Sequence, residues 1–378
     1  MQRTELTKQK KELGVPTPME MQITESSTRQ ANNFGFLRLL FATLVILAHS
    51  PELVDGNRSR EILTRIFGTM SLGEVAVDGF FLISGYLILQ SLVNSKSYFE
   101  YLSKRVLRIY PGYIVAFVIS LGIGSLAGGR IGGLGQTLLD ITRALSLHTP
   151  RLDGAFAGNP LPIVNGPMWT VSYEFRCYLL AMLMGGVGIL KSRLAYLSLT
   201  VALLLSVLSQ LDFQWSPTIV AVFGQAKFSE HFTLAFLVGG AFYLLRDRIP
   251  YARGAVIFAL TALVPLMFFP QVAEAAMVTF GGYVLFYFAF KFKSARLSRI
   301  GSKVDLSYGI YLYAWPIQNV LIWHYRHISP WLLFGLSATM AGVCAYASWT
   351  FVESPSLSLK GRFLRRLPNQ PKSAASAV

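Results

Sequence analysis

Apolar runs long enough to cross a membrane recur along this chain of 378 residues, from Phe34 to Val352. A membrane-spanning helix needs about 20 mostly apolar residues. In lipid, every backbone polar group must be bonded within the protein, which leaves helices and closed barrels as spanning structures. Hydrophobic residues make up 53% of the chain, which leaves few polar breaks between these runs. The sequence therefore predicts an all-α fold, a polytopic integral membrane bundle that forms one domain.

Polar breaks divide the apolar runs into ten candidate transmembrane helices, and the weakest break lies around Pro270. They cover about 34–54, 71–93, 109–127, 166–187, 194–211, 229–245, 252–269, 272–290, 306–324 and 330–352. Of the 34 Lys and Arg residues, 24 lie in alternate connecting segments, namely 1–33, 96–108, 187–194, 246–253, 291–303 and 353–378. The positive-inside rule assigns these segments to the cytosol. An even number of helices then places both termini there.

The two ends of the chain are polar, and residues 1–33 lack the layout of a signal peptide. We expect 1–33 to be a disordered cytosolic tail, 34–357 to be the membrane domain, and 358–378 to be a basic cytosolic tail. A net charge of +15 would suggest a nucleic-acid partner in a soluble protein. Because the basic residues here follow the membrane topology, no nucleic-acid partner is predicted.

Two further features of the chain have structural interpretations. Cys177 and Cys344 lie in apolar runs, which favours small buried hydrophobes over a disulfide, and no metal site is predicted. The connection over 128–165 is long, and its TLLDITRALSL segment has helical apolar spacing. Long loops are usually functional or disordered. We expect this segment to lie along the external surface as a roof over an opening.

Arg38 and His49 both lie in the first apolar run. Ionisable residues inside a membrane are costly and are functional candidates for that reason. At about 100° per residue, the eleven-residue separation places both side chains on one helix face, about 16 Å apart. His49 is then a candidate proton acceptor, and the alternative is a packing histidine bonded to a neighbouring backbone.

Two acidic residues lie in or near other spans. Asp78 precedes the run GFFLISGYLI and is either a helix cap near the external surface or a polar partner of the first helix. Glu174 lies several residues inside the fourth span, with Arg176 on roughly the opposite face. A carboxylate at that depth must be paired, hydrated or protonated. Glu174 either neutralises Arg38 or orients and stabilises an imidazole.

The segment SKRVLRIYP places Lys104, Arg105 and Arg108 at the cytosolic end of the third helix. Arg105 and Arg108 share a helix face, and guanidinium groups match phosphate oxygens. The alternative is a basic cluster that contacts lipid headgroups.

Aromatic residues are the remaining candidates. The ninth span is rich in Tyr and is interrupted by Pro316, which is typical of a helix that lines a cavity. We expect substrate to contact Tyr308 and Tyr311 in this span, and Trp169 and Tyr173 in the fourth.

Together these motifs resemble the acyltransferase-3 family of integral membrane acyltransferases, and the resemblance extends from Phe34 to Leu357. In order, the motifs are the Arg38–His49 pair, VDGFFLISGYLI, RVLRIYP, NGPMWTVSYEF, FLVGGAFY, DLSYGIYLYAWP and FVESP. One departure is Ala314, where many relatives have His or Trp. A role carried by a second histidine at that position is therefore missing.

The resemblance implies that 34–357 is a membrane acyltransferase domain in the inner (cytoplasmic) membrane. It implies transfer of an acyl group, usually acetyl from cytosolic acetyl-CoA, to O-antigen, exopolysaccharide or a lipid-linked saccharide outside the cytosol. It also implies His49 as the catalytic base, Arg38 as its companion, and Arg105 with Arg108 as the paired arginines of the cytosolic motif. The alternative function is a transporter or flippase for a lipid-linked saccharide or a CoA-type anion.

Overall fold

The computed structural model describes residues 32–211 and 214–359, which form helices and contain no β-strand. The all-α prediction is confirmed for this part of the chain. The predicted tails, 1–33 and 358–378, lie outside the described residues except for two residues of each.

Each of the ten predicted spans contains a helix, and three further α-helices lie in the described connections. In chain order the helices are α1 (Phe34–Asp55), α2 (Ile62–Phe67), α3 (Leu72–Val93), α4 (Tyr98–Leu126), α5 (Leu134–Leu145), α6 (Trp169–Gly186), α7 (Arg193–Ser209), α8 (Pro217–Phe223), α9 (Ala226–Leu244), α10 (Arg253–Leu266), α11 (Ala273–Lys291), α12 (Ser307–His324) and α13 (Pro330–Ser358). Both α11 and α13 include a π-helical turn, at Met277–Gly281 and Trp349–Glu353.

Within the described part of the chain, five helices are long and apolar enough to cross a membrane, namely α1, α3, α4, α11 and α13. The others that coincide with predicted spans are shorter or less apolar. The chain is thus a multi-helix protein of membrane character. Ten crossings with both termini in the cytosol stay a prediction.

Helix α3 lies at the centre of the bundle, packed against α9 and α1, while α12 packs against α1, α4 and α13. The contact between α3 and α9 depends on glycine. A Cβ added to Gly85 would lie 1.9 Å from the carbonyl oxygen of Phe236, and one added to Gly239 would lie 2.0 Å from that of Leu82. The two backbones therefore touch directly, as in other membrane helix pairs with small residues at the interface.

Helix α4 begins earlier than the predicted span at 109–127. It starts at Tyr98, where the Ser97 hydroxyl accepts a hydrogen bond from the backbone N–H of Glu100 at 3.1 Å. Such a cap fixes a helix start that apolar periodicity does not show. Arg105 and Arg108 consequently lie within the helix.

The predicted helix of the connection over 128–165 is present as α5, none of whose residues is buried. The segment between α5 and α6 extends into the bundle, so this part does not form the predicted roof at the surface. The Tyr113 hydroxyl, near the middle of α4, donates to the carbonyl oxygen of His148 at 2.8 Å. The chain then descends along α12, where the carbonyl oxygen of Ile163 accepts from Trp315 Nε1 at 2.8 Å. Irregular backbone at membrane depth is tolerated where the protein satisfies its polar groups. Because this segment enters the bundle, α6 begins inside the bundle.

The cysteines differ in environment. Cys177 is buried, as predicted, whereas Cys344 is exposed on the outside of the bundle, so the prediction of a buried thiol is wrong there. Neither forms a disulfide.

Candidate active site

Three guanidinium groups line one internal cavity of about 130 Å³, which we call the arginine cavity. It lies between α1, α3, α4, α6 and α12, toward the end of the bundle where α1 and α12 begin. Its polar lining residues are Arg38, Ser84, Arg105, Arg108, Thr170, Glu174, Tyr178, Ser307, Tyr308 and Tyr311. The structure thus brings the first-span arginine and both arginines of α4 to one place.

Asp305, directly before α12, joins two of these arginines. Its Oδ2 lies 2.6 Å from Arg108 Nη2 and 3.3 Å from Arg38 Nη2. Burial alone raises the pKa of the Asp305 carboxyl, but the charges of Arg108 and then Arg38, together with hydrogen bonds from Ser307, outweigh burial and hold that pKa at about 2. Arg108 Nη1 also lies 3.4 Å from Oε2 of the buried Glu353. Arg38 and Arg108 are therefore held in place by carboxylates.

Arg105 has a different environment. Its Nη2 donates to the Ser91 hydroxyl at 3.2 Å, and its guanidinium lies 5.9 Å from the ring centres of both Tyr101 and Tyr178. Among the described residues, Nε of Arg105 and Nε of Arg38 are buried without a hydrogen-bond partner. Both are free donors beside the cavity, which fits an anionic ligand with several oxygen atoms.

Lys104 is not part of this cavity. Its Nζ lies 2.6 Å from Glu100 Oε1 and 3.0 Å from the Ser95 hydroxyl. The predicted basic cluster therefore separates into two cavity arginines and one lysine that is already paired.

Glu174 lines the arginine cavity, but both predictions of its partner are wrong. Its Oε1 accepts from the Tyr178 hydroxyl at 2.5 Å and from the Ser84 hydroxyl at 3.2 Å. Asp305 contacts Arg38 instead, and a different carboxylate contacts His49. Helical periodicity placed Glu174 correctly inside the span but gave no information about its neighbours.

His49 lines a second cavity, of about 210 Å³, which we call the histidine cavity. Its Nδ1 lies 2.7 Å from Oε2 of Glu52, one turn further along α1. Glu52 Oε1 in turn accepts from Arg58 Nε at 3.0 Å, and Arg58 Nη1 lies 3.0 Å from Glu74 Oε1. A carboxylate on one ring nitrogen fixes the tautomer and leaves the other nitrogen, Nε2, to accept a proton.

Asp78 also lines the histidine cavity, although neither predicted role is observed. The cap of α3 is formed by Ser71 with Glu74, and Asp78 lies a turn further in, fully buried. Its Oδ1 lies 2.5 Å from Nε2 of His231 on α9. The other ring nitrogen, Nδ1, lies 3.4 Å from Oε2 of Glu274 on α11. A second imidazole, which the sequence interpretation missed, thus contacts this cavity.

Three of the four predicted aromatic residues line these cavities. Trp169 lines the histidine cavity, Tyr308 the arginine cavity, and Tyr311 both. Tyr173 lines neither, and its hydroxyl accepts from the backbone N–H of Gln225 at 3.0 Å. It is therefore a packing residue in this structure.

The two cavities meet at a thin layer of side chains that we call the septum, formed by Val77, Thr170 and Tyr311, which line both. The hydroxyls of Thr170 and Tyr311 lie 2.6 Å apart, and the Tyr311 hydroxyl donates to the carbonyl oxygen of Pro167 at 2.8 Å. The descending segment before α6 therefore supplies one bond that closes the septum.

The acyltransferase-3 family model, described as an acyltransferase domain, matches residues 32–349. The chain belongs to this family. It is 27% identical over 357 residues to an O-acetyl transferase of Shigella phage Sf6, covering 87% of this chain and 99% of that protein. It is 25% identical over 378 residues to nodulation protein 10 of Rhizobium leguminosarum bv. viciae, covering 90% and 97%. No solved structure matches it.

The sequence interpretation assigned no site role to four carboxylates that contact the histidines or arginines of this acyltransferase-3 protein, namely Glu52, Glu274, Asp305 and Glu353, although the last two stand in quoted motifs. Glu52 alone had a local signal, since it stands three residues after His49 in a helix. The other three are brought to the site by helix packing. Membership of the family supports acyl transfer as the activity.

Proposed function

We propose that the protein is a membrane O-acetyltransferase that moves an acetyl group from acetyl-CoA to a hydroxyl of a carbohydrate. The observation that supports this most is the pair of cavities on either side of the septum. One contains three guanidinium groups, and the other contains an imidazole oriented by a carboxylate. The named O-acetyl transferase relative is consistent with the same chemistry.

The arginine cavity is proposed to bind the donor from the cytosol. Arg105 suits the CoA phosphates best, because its guanidinium has a free Nε and no carboxylate partner among the described residues. Arg38 and Arg108 contribute positive charge while Asp305 fixes their positions. The pantetheine arm then extends toward the septum, with the thioester at its tip.

The histidine cavity is proposed to bind the acceptor. A sugar hydroxyl is a weak nucleophile near neutral pH, so attack on a thioester benefits from a positioned base. Nε2 of His49 takes the hydroxyl proton as the oxygen attacks the acetyl carbonyl carbon. The C–S bond then breaks, and the imidazolium returns the proton to the departing thiolate. The products are the O-acetyl ester and CoA, and His49 is again neutral.

The septum must open during this reaction, because the thioester has to reach His49 from the other cavity. Rotation of the Tyr311 side chain would break its bonds to Thr170 and Pro167 and connect the two cavities. The same closed septum between two cavities would suit the alternative function, transport of a lipid-linked saccharide or CoA-type anion.

The two functions differ in whether a covalent bond is broken. The test is purified protein in proteoliposomes with acetyl-CoA, in which free CoA is measured with a thiol reagent. In parallel, mass spectrometry would compare cell-surface glycans with and without the protein. We expect CoA release that depends on a glycan, and a glycan mass increase of one acetyl group. Acetyl-CoA or saccharide that crosses the bilayer unchanged, with no CoA released, would establish transport instead.

A further inference from the structure

A third cavity, of about 230 Å³, adjoins the histidine cavity at the same end of the bundle. It lies between the end of α7, the first turns of α9 and the beginning of α11, and we call it the side cavity. Its lining residues are Ser206, Val207, Gln210, Leu211, Lys227, Glu230, His231, Pro270, Gln271 and Glu274. The mechanism above does not use it.

The side cavity and the histidine cavity share one wall, formed by Lys227, His231 and Glu274. Glu274 is about one-third exposed and lies between two cationic groups, with Lys227 Nζ at 3.7 Å and His231 Nδ1 at 3.4 Å. Asp78 holds His231 from the buried side. The carboxylate of Glu274 is therefore fixed at the junction of the two cavities while part of it stays accessible.

The chemistry of the side cavity suits a ligand rich in hydroxyl groups. Gln210 and Gln271 carry amides that both donate and accept hydrogen bonds, and Glu230 and Glu274 accept only. Across the shared wall, Trp169 and Phe228 line the histidine cavity with their rings 4.8 Å apart. Apolar ring faces beside directional polar groups are typical of sites that fix a small polar ligand.

We propose that the side cavity is an acceptor subsite, which binds the sugar residue next to the one that is acetylated. The acceptor would then lie across both cavities as an oligosaccharide, with Glu274 accepting hydrogen bonds from its hydroxyls at the junction. This inference rests on the proposed function. It adds that recognition extends beyond the reacting sugar to a defined set of residues at the end of α7, directly before α11 and in the first turns of α9 and α11.

The test compares acceptors of different length. The glycan that the wild-type protein acetylates is hydrolysed to a series of one, two and four sugar residues, and CoA release is measured with each. We expect kcat/KM of the wild-type protein to be about tenfold or more higher for the tetrasaccharide than for the monosaccharide. Gln271→Ala removes one hydrogen-bonding group and should lower the tetrasaccharide value about three- to tenfold, leaving the monosaccharide value unchanged. Gln210→Ala provides a second variant at the opposite side of the cavity.

Gln136→Ala is the matched control, since Gln136 lies on α5 and donates to Asp140, away from the cavities. It should change neither value. The proposed subsite would be contradicted by equal kcat/KM values of the wild-type protein for all acceptor lengths. It would also be contradicted if Gln271→Ala lowered kcat/KM by the same factor for every length. Failure of the wild-type protein to release CoA with any member of the series is a different result, which would overturn the proposed function and this inference with it.

Discussion

The arginine cavity and the histidine cavity are built from many of the same helices, but their charged groups are held in different ways. In the arginine cavity, carboxylates from α13 and the approach to α12 fix guanidinium groups on α1 and α4. In the histidine cavity, His49 is fixed by Glu52 from its own helix. The first arrangement depends on long-range packing, whereas the position of His49 depends on one turn of α1, although His231 in the same cavity is held from another helix by Asp78. Under the proposed function, this difference predicts that donor binding and chemistry can be disrupted separately.

The comparison assumes that the two cavities open on opposite sides of the membrane. The membrane topology is therefore the first expectation to test. In a Cys344→Ser background, single cysteines at the exposed positions Asn57 and Lys191 should react with a membrane-impermeant thiol reagent from opposite sides. We expect Asn57→Cys to label in intact cells and Lys191→Cys only after the cells are opened. Labelling of both in intact cells would contradict the topology.

The largest expected effect on rate is at His49. His49→Gln keeps polarity and approximate size but cannot take up the proton, so kcat should fall about 10²–10⁴-fold. Binding of acetyl-CoA, measured by calorimetry on the purified protein, should stay unchanged because the arginine cavity is intact. A near wild-type rate of acetyl transfer in this variant would show that His49 is a packing residue and not the base.

Glu52→Gln should have the next largest effect. It removes a charge-assisted hydrogen bond to Nδ1 of His49 and the pairing with Arg58, so we expect kcat to fall about 10- to 100-fold. The matched control is Glu61→Gln. Its carboxylate accepts from the backbone N–H groups of Thr64 and Leu72, outside the cavity lining. Equal rates in wild type and Glu52→Gln would show that the tautomer of His49 is fixed in another way.

Arg105→Ala should act on the donor alone. Loss of one charge-assisted phosphate contact corresponds to about 1.5–3 kcal/mol, so the apparent KM for acetyl-CoA should rise about 10- to 160-fold with little change in kcat. Lys104→Ala, whose side chain is paired with Glu100, is the control and should leave KM unchanged. Similar changes in both variants would favour the lipid-headgroup interpretation.

Arg108→Ala should also affect stability, because it leaves Asp305 and Glu353 without this partner. Removal of one partner from a buried ion pair typically costs about 3–5 kcal/mol. We therefore expect lower thermal stability in detergent in addition to weaker donor use, whereas Arg105→Ala should keep wild-type stability.

The smallest effect is expected at the septum. Tyr311→Phe removes one hydroxyl, and with it the bonds to Thr170 and Pro167, but keeps the ring. We expect the rate of acetyl-CoA hydrolysis in the absence of glycan to rise about two- to tenfold, which is the factor that corresponds to the free energy of one typical hydrogen bond. The KM for the donor should stay constant. A rate of hydrolysis equal to wild type would mean that the hydroxyl does not hold the septum closed.

Much of the fold was predictable because hydropathy and helical period are local properties. The ten helical segments follow from hydropathy along the chain, and the cavity position of Tyr311 follows from the Tyr-rich, Pro-interrupted character of its span. The partners of the ionisable residues were not predictable in this way. Asp78 and His231 are 153 residues apart and meet because glycines on α3 and α9 allow backbone contact. Asp305 reaches Arg38 for a similar reason, since α1 and α12 pack side by side.

The septum also has a consequence for the energetics of the cell. Moving one elementary charge through a potential of 100 mV releases about 2.3 kcal/mol. An unbroken polar passage lined by imidazoles, carboxylates and guanidiniums would let protons flow down that gradient and dissipate the stored energy continuously. Val77, Thr170 and Tyr311 interrupt such a passage with an apolar side chain and two hydroxyls already bonded to each other. In the proposed mechanism, the closed septum would thus let the protein carry reactive ionisable groups on both sides of its centre while the membrane stays electrically insulated.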